Sequence, residues 1–394
     1  MSKPVALDTA PSRDDNVPAR KQAPSSIGRV VVALSGGVDS AVAAWLLQRQ
    51  GYDIQPLFMK NWEEDDRPGY CAAAADRHDA EEVCQRLGLE LRTVNLSSEY
   101  WDRVFTPFLA AYQAGQTPNP DVLCNQEIKF RIFLDHARTL GATHIATGHY
   151  ARALQDGAGF HLLKGCDHGK DQSYFLHRLD QSQLSRVLFP LGELTKPEVR
   201  RLAIRAKLPV HAKKDSTGIC FIGEQPFKRF LSRYLAFSPG AIETVEGEVL
   251  GQHVGLAYYT LGQRRGLGIG GQQGGTGAPW YVIAKDSQRR ALIVAQGHQH
   301  PALYAHALVA KDVHWISQRR FKFPLRCQAK TRYRQMDQSC EIDIDQNDHY
   351  RVRFDEPQWA PTPGQFVVFY AGAECLGGGM IRADSWQGSD RDVE

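Results

Sequence analysis

The sequence predicts an α/β protein in three parts: a doubly wound, mostly parallel sheet, a small β-rich central domain and a C-terminal β-barrel. Residues 29–34 form a short apolar, β-branched run, and a segment of helical composition follows it. Strand-like and helix-like segments then alternate to about residue 152. Such alternation is typical of parallel sheets with helices on both faces. Beyond about residue 236 the chain has short strand-like runs between Gly and Pro turns, which favours a barrel or sandwich.

The elements of the first region follow from the spacing of apolar residues and from helix stop signals. Strands are predicted at residues 29–34, 54–59, 91–96 and 144–147. Helices are predicted at residues 41–49, 78–87, 100–112 and 128–140. The first two helices end just before Gly51 and Gly88, and glycine is the usual residue at a helix C-terminus.

The second half is predicted as two β-rich regions. The central strands are expected at residues 242–250, 253–260, 281–285 and 291–294, and the barrel strands at 307–313, 323–330, 340–344, 350–354 and 365–370. We therefore place domains at 29–225, 226–302 and 303–384. A disordered tail is expected at 1–28 and a frayed one at 385–394, because these segments have little apolar surface to offset the entropy of ordering.

Composition excludes several classes of protein. The 394 residues carry 47 Lys+Arg and 44 Asp+Glu, and a net charge of +3 neither requires nor excludes a nucleic-acid partner. The chain has no run of about 18 apolar residues, so we expect no membrane-spanning helix. Its eight cysteines include no C-x-x-C pair, so neither a zinc ribbon nor a thioredoxin-type motif is visible, and no metal site is predicted. We expect a cytoplasmic monomer.

A phosphate-binding loop is predicted between the first strand and the first helix, at Ser35, Gly36, Gly37, Val38, Asp39 and Ser40. Glycines let the backbone approach a phosphate, and a helix start supplies unpaired N–H groups. The loop lacks the lysine of a Walker A motif. Asp39 is expected to order the loop or to help hold Mg²⁺. The alternative is a Ser/Gly turn that only caps the helix.

Two cysteines in polar settings suggest thiol chemistry. Cys124 follows the proline-rich stretch at 117–121 and precedes a helix predicted from about Gln126, so a loop position is expected. Cys220 follows Lys213 and Lys214. Neighbouring cations and helix starts favour the thiolate, which is the reactive form. One thiol could then carry sulfur and the other resolve it, whereas the alternative is two buried packing cysteines.

These motifs together resemble one family. The phosphate loop resembles that of the PP-loop ATP-pyrophosphatases, whose fold is adenine nucleotide alpha hydrolase-like. Further motifs, in order, are at 58–62, 117–125, 147–150, 170–174, 215–220 and 259–264. With them, residues 28–383 resemble the tRNA-specific 2-thiouridylase family, with no departure at a motif residue.

The resemblance implies an activity and a site. The family uses ATP to adenylate the C2 oxygen of the wobble uridine in lysine, glutamate and glutamine tRNAs, replaces that oxygen by sulfur, and releases AMP and pyrophosphate. The implied ATP-binding residues are Ala33, Leu34, Ser35, Gly36, Gly37, Val38, Asp39, Ser40, Met59 and Gly148. Cys220 would carry a persulfide from a sulfur-relay donor protein, and Cys124 would form a transient disulfide with it.

The resemblance also implies contacts with tRNA. Asn119, Pro120 and Asp121 would surround the target base, with Asp121 as a candidate acid or base. Further tRNA contacts would fall on His149, Lys170, Asp171, Gln172, Arg332, Tyr333 and Gln365. Charge supports a polyanionic partner, since residues 196–233 and 311–334 each carry a net charge of +7. The alternative for these two segments is a solvated basic face.

Three alternatives stay open at this point. Another PP-loop synthetase would need neither cysteine, and a noncatalytic RNA-binding protein would tolerate the loss of both. Cys124 and Cys220 could instead hold an iron–sulfur cluster with a third ligand such as Asp121.

Overall fold

The structure is a computed structural model that describes residues 28–63, 73–215, 227–236, 238–269, 277–346 and 349–383. The predicted tails before residue 28 and after residue 383 lie outside the described residues, and so does Cys220 with its neighbours at 216–226.

The first region contains the predicted alternation of strands and helices. Its strands are β1 (Val30–Ala33), β2 (Ile54–Lys60), β3 (Arg92–Asn95), β4 (His144–Ala146), β5 (Ala151–Asp156), β6 (Gly159–Lys164) and β7 (Val187–Leu188). Its helices are α1 (Val38–Arg49), α2 (Ala74–Leu87), α3 (Ser97–Tyr100), α4 (Thr106–Gln113), α5 (Pro120–Leu123), α6 (Phe133–Thr139), α7 (Ser173–Leu176), α8 (Gln181–Leu184), α9 (Lys196–Arg205) and α10 (Phe227–Leu231). Two π-helical stretches, Trp101–Phe105 and Cys124–Ile132, join α3 to α4 and α5 to α6.

A parallel sheet is the centre of this region, with the strand order β3-β2-β1-β4-β7. Alternate residues of β1 point to opposite faces. Val30 and Val32 are buried in one apolar cluster with residues of α1 and α9. Val31 is buried in a second cluster with Phe105 and Phe133. The doubly wound parallel sheet predicted from the sequence is therefore confirmed.

The hairpin of β5 and β6 was not predicted. Its two strands pair with each other, and β6 also pairs with the strand at Glu374–Ile381 through Leu162 and Cys375. A strand of the first region thus extends the C-terminal sheet.

The central region has a small sheet of β8 (Gly240–Glu243), β9 (Val249–His253), β10 (Trp280–Asp286) and β11 (Ala291–Gln296), in the order β10-β11-β8-β9. Two details of the prediction are wrong. The segment at 242–250 forms parts of two strands, because a turn at Gly247 divides it. The segment at 253–260 is no strand, since a 3₁₀ turn at Leu256–Tyr258 follows β9.

The C-terminal region is the predicted barrel. Its strands are β12 (Tyr304–Trp315), β13 (Leu325–Lys330), β14 (Gln338–Ile344), β15 (Tyr350–Trp359), β16 (Phe366–Ala371) and β17 (Glu374–Ile381). The strand order β12-β15-β14-β13-β16-β17 is closed by pairing of β12 with β17. β17 was not predicted because glycine weakens a strand pattern. A Cβ at Gly377 would lie 2.0 Å from the carbonyl oxygen of His314, so the neighbouring strand requires glycine there.

Among the described residues, every helix is too short or too polar to span a lipid bilayer.

Candidate active site

The predicted phosphate loop lies at the carboxyl edge of the parallel sheet, between β1 and α1. Gly37 is the N-cap of α1, with φ −99° and ψ 163°, and it provides no side-chain cap. Ser40 instead bonds within the loop: its hydroxyl accepts from the Ser35 N–H at 3.1 Å and donates to the Gly37 carbonyl at 3.1 Å. An uncapped helix start with an ordered loop is the arrangement that binds phosphate.

The glycines at this edge of the sheet differ in whether the fold requires them. Gly36 has φ +74°, and a Cβ there would lie 2.2 Å from the Asp76 carbonyl oxygen. A Cβ on Gly148 would lie 2.8 Å from the Ser40 nitrogen, so the loop after β4 approaches α1 too closely for a side chain. The nearest atom to a Cβ on Gly37 is the Ser35 hydroxyl oxygen, at 3.5 Å. The fold therefore requires Gly36 and Gly148 but leaves room beside Gly37.

The other residues predicted to bind ATP surround the same edge. Ala33 ends β1, Leu34 follows it and is buried, and Val38 begins α1. Met59 lies near the carboxyl end of β2, the neighbour of β1. Carboxyl ends of neighbouring parallel strands are where ligands bind in open α/β sheets.

A network of ion pairs that the sequence analysis missed holds Asp39. Both carboxylate oxygens of Asp39 accept from Lys196 Nζ, at 2.7 and 2.8 Å, and Oδ1 also accepts from the Tyr150 hydroxyl at 2.8 Å. Lys196 Nζ lies 2.8 Å from Asp215, which pairs in addition with Lys170. The sequence does mark the start of α9, because Thr195 and Glu198 form a capping box. It does not indicate that Lys196 pairs with Asp39.

In this network the positive charges of the lysines balance the negative charges of Asp39 and Asp215. Burial would raise the pKa of Asp215, but hydrogen bonds from Lys170 and Lys196 outweigh it and lower the pKa to about 2. Asp215 therefore stays ionised and keeps the two lysines in place. Because Lys196 balances the charge of Asp39, the loop can accept a polyphosphate beside a carboxylate.

The predicted base-binding residues begin a helix. Asn119 is the N-cap of α5, and its side-chain oxygen accepts from the Asp121 N–H at 3.2 Å. Pro120 occupies the first helical position, where its lack of an N–H costs nothing. The expected loop position of Cys124 is wrong, because the helix begins at Pro120 rather than near Gln126. Cys124 lies in the second turn and is 1% exposed.

A cleft of about 420 Å³ joins this helix start to the barrel. It brings together five of the predicted tRNA-binding residues from segments far apart in sequence: Asn119, Asp121, Arg332, Tyr333 and Gln365. Five more residues line it: Thr117 and Thr260 from the family motifs, Arg334 from the basic segment at 311–334, and Phe175 and Thr362, which the sequence analysis did not identify.

Hydrogen bonds from the barrel fix the loop that precedes α5. Gln365 Nε2 donates to the Thr117 carbonyl at 2.7 Å, and the Thr117 N–H donates to the Pro363 carbonyl at 2.9 Å. Between these contacts, Gly364 has φ +87°, and a Cβ there would lie 2.8 Å from Gln116 Cβ. The position of Asn119 and Asp121 thus depends on the barrel.

Arg332 and Tyr333 line the cleft from the turn between β13 and β14. The Arg332 guanidinium donates to the carbonyls of Leu261 and Ala360, at 3.2 and 2.9 Å, so it also joins the barrel to the central region. The Tyr333 ring lies 4.4 Å from that of Phe175, centroid to centroid. Aromatic rings in such a cleft are suited to stacking on an unpaired base.

Burial sets the acidity of Asp121. Desolvation raises its pKa, and the charge of Lys129 opposes the rise without cancelling it. A carboxyl group with a raised pKa holds a proton at higher pH than an exposed one, so it is suited to proton transfer.

The remaining predicted tRNA contacts lie outside this cleft. Asp171 is buried, where it accepts from the N–H groups of Gly165 and Ser173, and the Gln172 side chain accepts from the Tyr150 N–H at 3.0 Å. His149 is half-buried beside Phe130, and burial lowers its pKa well below the ordinary value. Lys170 pairs with Asp215. These side chains hold the site together, and their contact with tRNA stays a prediction.

Comparison with known proteins identifies the family. Family models match residues 28–224 (tRNA methyl transferase HUP domain), 228–296 (tRNA methyl transferase PRC-barrel domain) and 305–381 (Aminomethyltransferase beta-barrel domain). The chain is 56% identical to the tRNA-specific 2-thiouridylase MnmA of Legionella pneumophila, over 90% of this chain and 98% of that protein. It is 57% identical to the one of Salmonella choleraesuis, over 90% and 96%.

A solved 4-thiouridine synthetase–RNA complex with bound ATP matches more distantly. It is 19% identical, covers 52% of this chain and 50% of its own, and has a TM-score of 0.32. The high identity to the two MnmA relatives, over most of both chains, shows that this chain belongs to the tRNA-specific 2-thiouridylase family, whose members are enzymes that thiolate tRNA.

Proposed function

We propose that this protein uses ATP to replace the C2 oxygen of the wobble uridine by sulfur in lysine, glutamate and glutamine tRNAs. The single observation that carries the proposal is the cleft, where Asn119 and Asp121 face Arg332, Tyr333 and Gln365 of the barrel. A volume of about 420 Å³ is in the range of small-ligand sites and suits one base turned out of the anticodon loop.

The nucleotide step is assigned to the phosphate loop. ATP would bind with its phosphates at the uncapped start of α1, where Gly37 leaves the space for them. The donor set also fits Mg²⁺ held mainly by the phosphates, because Asp39 Oδ2 accepts a single bond, from Lys196. Mg²⁺ would neutralise phosphate charge when bound. Transfer of AMP to the C2 oxygen makes that oxygen a leaving group and releases pyrophosphate.

Asp121 is the proposed proton-transfer residue at the base. Its raised pKa follows from burial beside the cleft, and the Asn119 cap fixes the turn that carries it. Asp121 would take the N3 proton of uridine as the C2 oxygen attacks ATP, and would return it when the thiocarbonyl forms.

Sulfur transfer is assigned to the two cysteines. The outer sulfur of a Cys220 persulfide, supplied by a donor protein, would attack C2, and AMP would leave. The Cys124 thiolate would then attack the Cys220 sulfur, which releases 2-thiouridine and leaves a disulfide for an external dithiol to reduce. Cys124 lies one helical turn after Asp121, so both can serve the same base.

Nucleoside mass spectrometry tests this proposal. The protein is incubated with tRNA, ATP, Mg²⁺ and a persulfide donor, and we expect 2-thiouridine that depends on ATP. Cys124→Ser and Cys220→Ser should still adenylate tRNA but form no thiouridine. Cys166→Ser is the matched control, because Cys166 is exposed and its thiol donates a hydrogen bond to Glu193.

Normal thiolation by either of the two variants would exclude the two-cysteine route. An iron assay on anaerobically purified protein separates the persulfide route from a cluster. Stoichiometric iron that is lost in both cysteine variants would favour the cluster.

A further inference from the structure

The barrel contains two cysteines that face each other and are distinct from the proposed sulfur-transfer pair. Cys327 of β13 and Cys340 of β14 are directly opposite in antiparallel register, and their sulfur atoms are 3.7 Å apart. A disulfide needs sulfurs about 2.05 Å apart and Cβ atoms about 3.5–4.5 Å apart. Facing residues on paired strands have Cβ atoms about 4.5–5.5 Å apart, so the two strands need to approach only slightly for the bond to form.

The pair lies at the base of the hairpin that lines the cleft. β13 ends at Lys330 and β14 begins at Gln338. The connection between them carries Arg332 and Tyr333. A covalent bond between Cys327 and Cys340 would close a short loop around these residues and restrict how far the hairpin can open.

The two thiols differ in access. Cys340 is 0% exposed and belongs to the apolar core of the barrel, whereas Cys327 is only partly buried. The hydrogen bond with Cys327 and burial both raise the pKa of Cys340. Cys327 is therefore the thiol that a small dissolved oxidant reaches first, and Cys340 is placed to react with the product.

We propose that Cys327 and Cys340 are a redox modification site, at which a hydroperoxide converts the two thiols into a reversible disulfide. The Cys327 thiolate attacks one oxygen of hydrogen peroxide, the O–O bond breaks, and a sulfenic acid and hydroxide form. Cys340 then attacks the sulfenyl sulfur and releases a second hydroxide. The two thiol protons complete two waters, so two thiols and one peroxide give one disulfide.

The functional consequence rests on the proposed function, because only tRNA binding gives the hairpin its role. The disulfide holds Arg332 and Tyr333 in the conformation that lines the cleft. The loop then loses less conformational entropy when tRNA binds. A preorganised loop binds more tightly. Oxidation should therefore strengthen tRNA binding, and a dithiol should reverse the effect.

Peptide mapping tests the bond directly. Trypsin cleaves after Arg326, Lys330, Arg334 and Arg351, so the thiols fall on separate peptides, 327–330 and 335–351. After treatment with hydrogen peroxide we expect these peptides joined, with a mass two hydrogens below their sum. Dithiothreitol should separate them, and Cys327→Ala should not give the joined peptide. Oxidation of other cysteines without the joined peptide would overturn the proposal.

The loop and tRNA effects need a second measurement, made in Cys220→Ser protein so that the proposed catalytic disulfide cannot form. Oxidation should slow amide exchange at 331–337, raise the unfolding temperature by about 5 °C and tighten tRNA binding about threefold. The double variant with Cys327→Ala should show none of these changes. A joined peptide without slower exchange or tighter binding would overturn the functional role, and neither readout requires thiolation activity.

Discussion

At the scale of single residues, neighbouring glycines of the phosphate loop have different roles. Gly36 adopts a left-handed conformation against the Asp76 carbonyl, so the fold itself requires it. Gly37 is extended, and a Cβ there would make only an ordinary contact with the Ser35 hydroxyl oxygen, at 3.5 Å. A side chain at Gly37 therefore meets the ligand rather than the protein.

Gly37→Val should fold normally and lose nucleotide use, because the branched side chain fills the space of the phosphate. We expect tRNA-dependent pyrophosphate release to fall by at least about 100-fold, with little change in unfolding temperature. Gly36→Ala is the contrasting variant and should lose stability instead. Normal pyrophosphate release by Gly37→Val would contradict the assignment of the loop to ATP.

Arg332 and Arg334 offer a second test at this scale. Arg332 donates to two backbone carbonyls, whereas Arg334 is exposed at the cleft. Arg332→Ala should destabilise the protein by roughly 2 kcal/mol, since two carbonyls lose a charged donor. Arg334→Ala should keep its stability and lower the slope of log K against log salt by about one.

Thermal unfolding and tRNA titrations at several salt concentrations separate the two effects. An unchanged slope for Arg334→Ala would show that this arginine does not contact the tRNA backbone.

At the scale of elements, the sequence predicts what local patterns encode. The parallel strands and their helices follow from apolar periodicity, and the loop between β1 and α1 follows from its residues. The start of the helix at Pro120 was missed because the motif reads as a proline-rich loop, although Pro120 with the Asn119 cap is a helix-start signal. β17 was missed because its glycines weaken the strand pattern. Its pairing with β6 joins residues about 200 positions apart, which no local pattern contains.

The β5–β6 hairpin carries a pH-sensitive contact with the barrel. His161 is buried between Glu374 and Asp156, at 2.6 and 2.9 Å. The hydrogen bond to Glu374 is the largest cause that raises the pKa of His161. Because folding raises the pKa of His161, this contact stabilises the fold fully at pH values below the pKa of an unfolded histidine, about 6.5. The stabilisation is lost as the pH rises through the higher pKa of His161 in the folded protein.

His161→Gln should therefore lower the unfolding temperature more at pH 5.5 than at pH 8.5. Unfolding at both pH values, for the variant and the parent, measures this difference. His306→Gln is the control, because His306 is exposed on β12. An equal loss at both pH values would mean that His161 acts only through packing.

At the scale of the whole molecule, the cleft exists only because three regions meet. Asn119 and Asp121 come from the first region, Thr260 from the central region, and Arg332 and Gln365 from the barrel. The family resemblance implied tRNA contacts at Asn119, Asp121, Arg332 and Gln365, but not that these residues share one cleft. Their convergence is a property of the assembled fold, in which the barrel positions the loop before α5.

Gly364→Ala tests this dependence. Its Cβ would push against Gln116, and the expected result is slower thiolation, by about 10-fold, with ATP binding unchanged. Gly372→Ala is the matched control, since Gly372 also has positive φ but no atom within 4 Å of its Cβ position. Equal effects of the two variants would show that backbone strain alone is responsible.

The pairing of β6 with β17 also decides how the chain can be divided. A fragment cut near residue 303 would keep the hairpin and lose its neighbour, leaving the open edge of β6 free to join other chains. We expect such a fragment to aggregate. A chimera that takes its barrel from a relative should fold only if residues 151–164 come from the same relative. The C-terminal sheet is therefore built from two segments that are separate in the sequence.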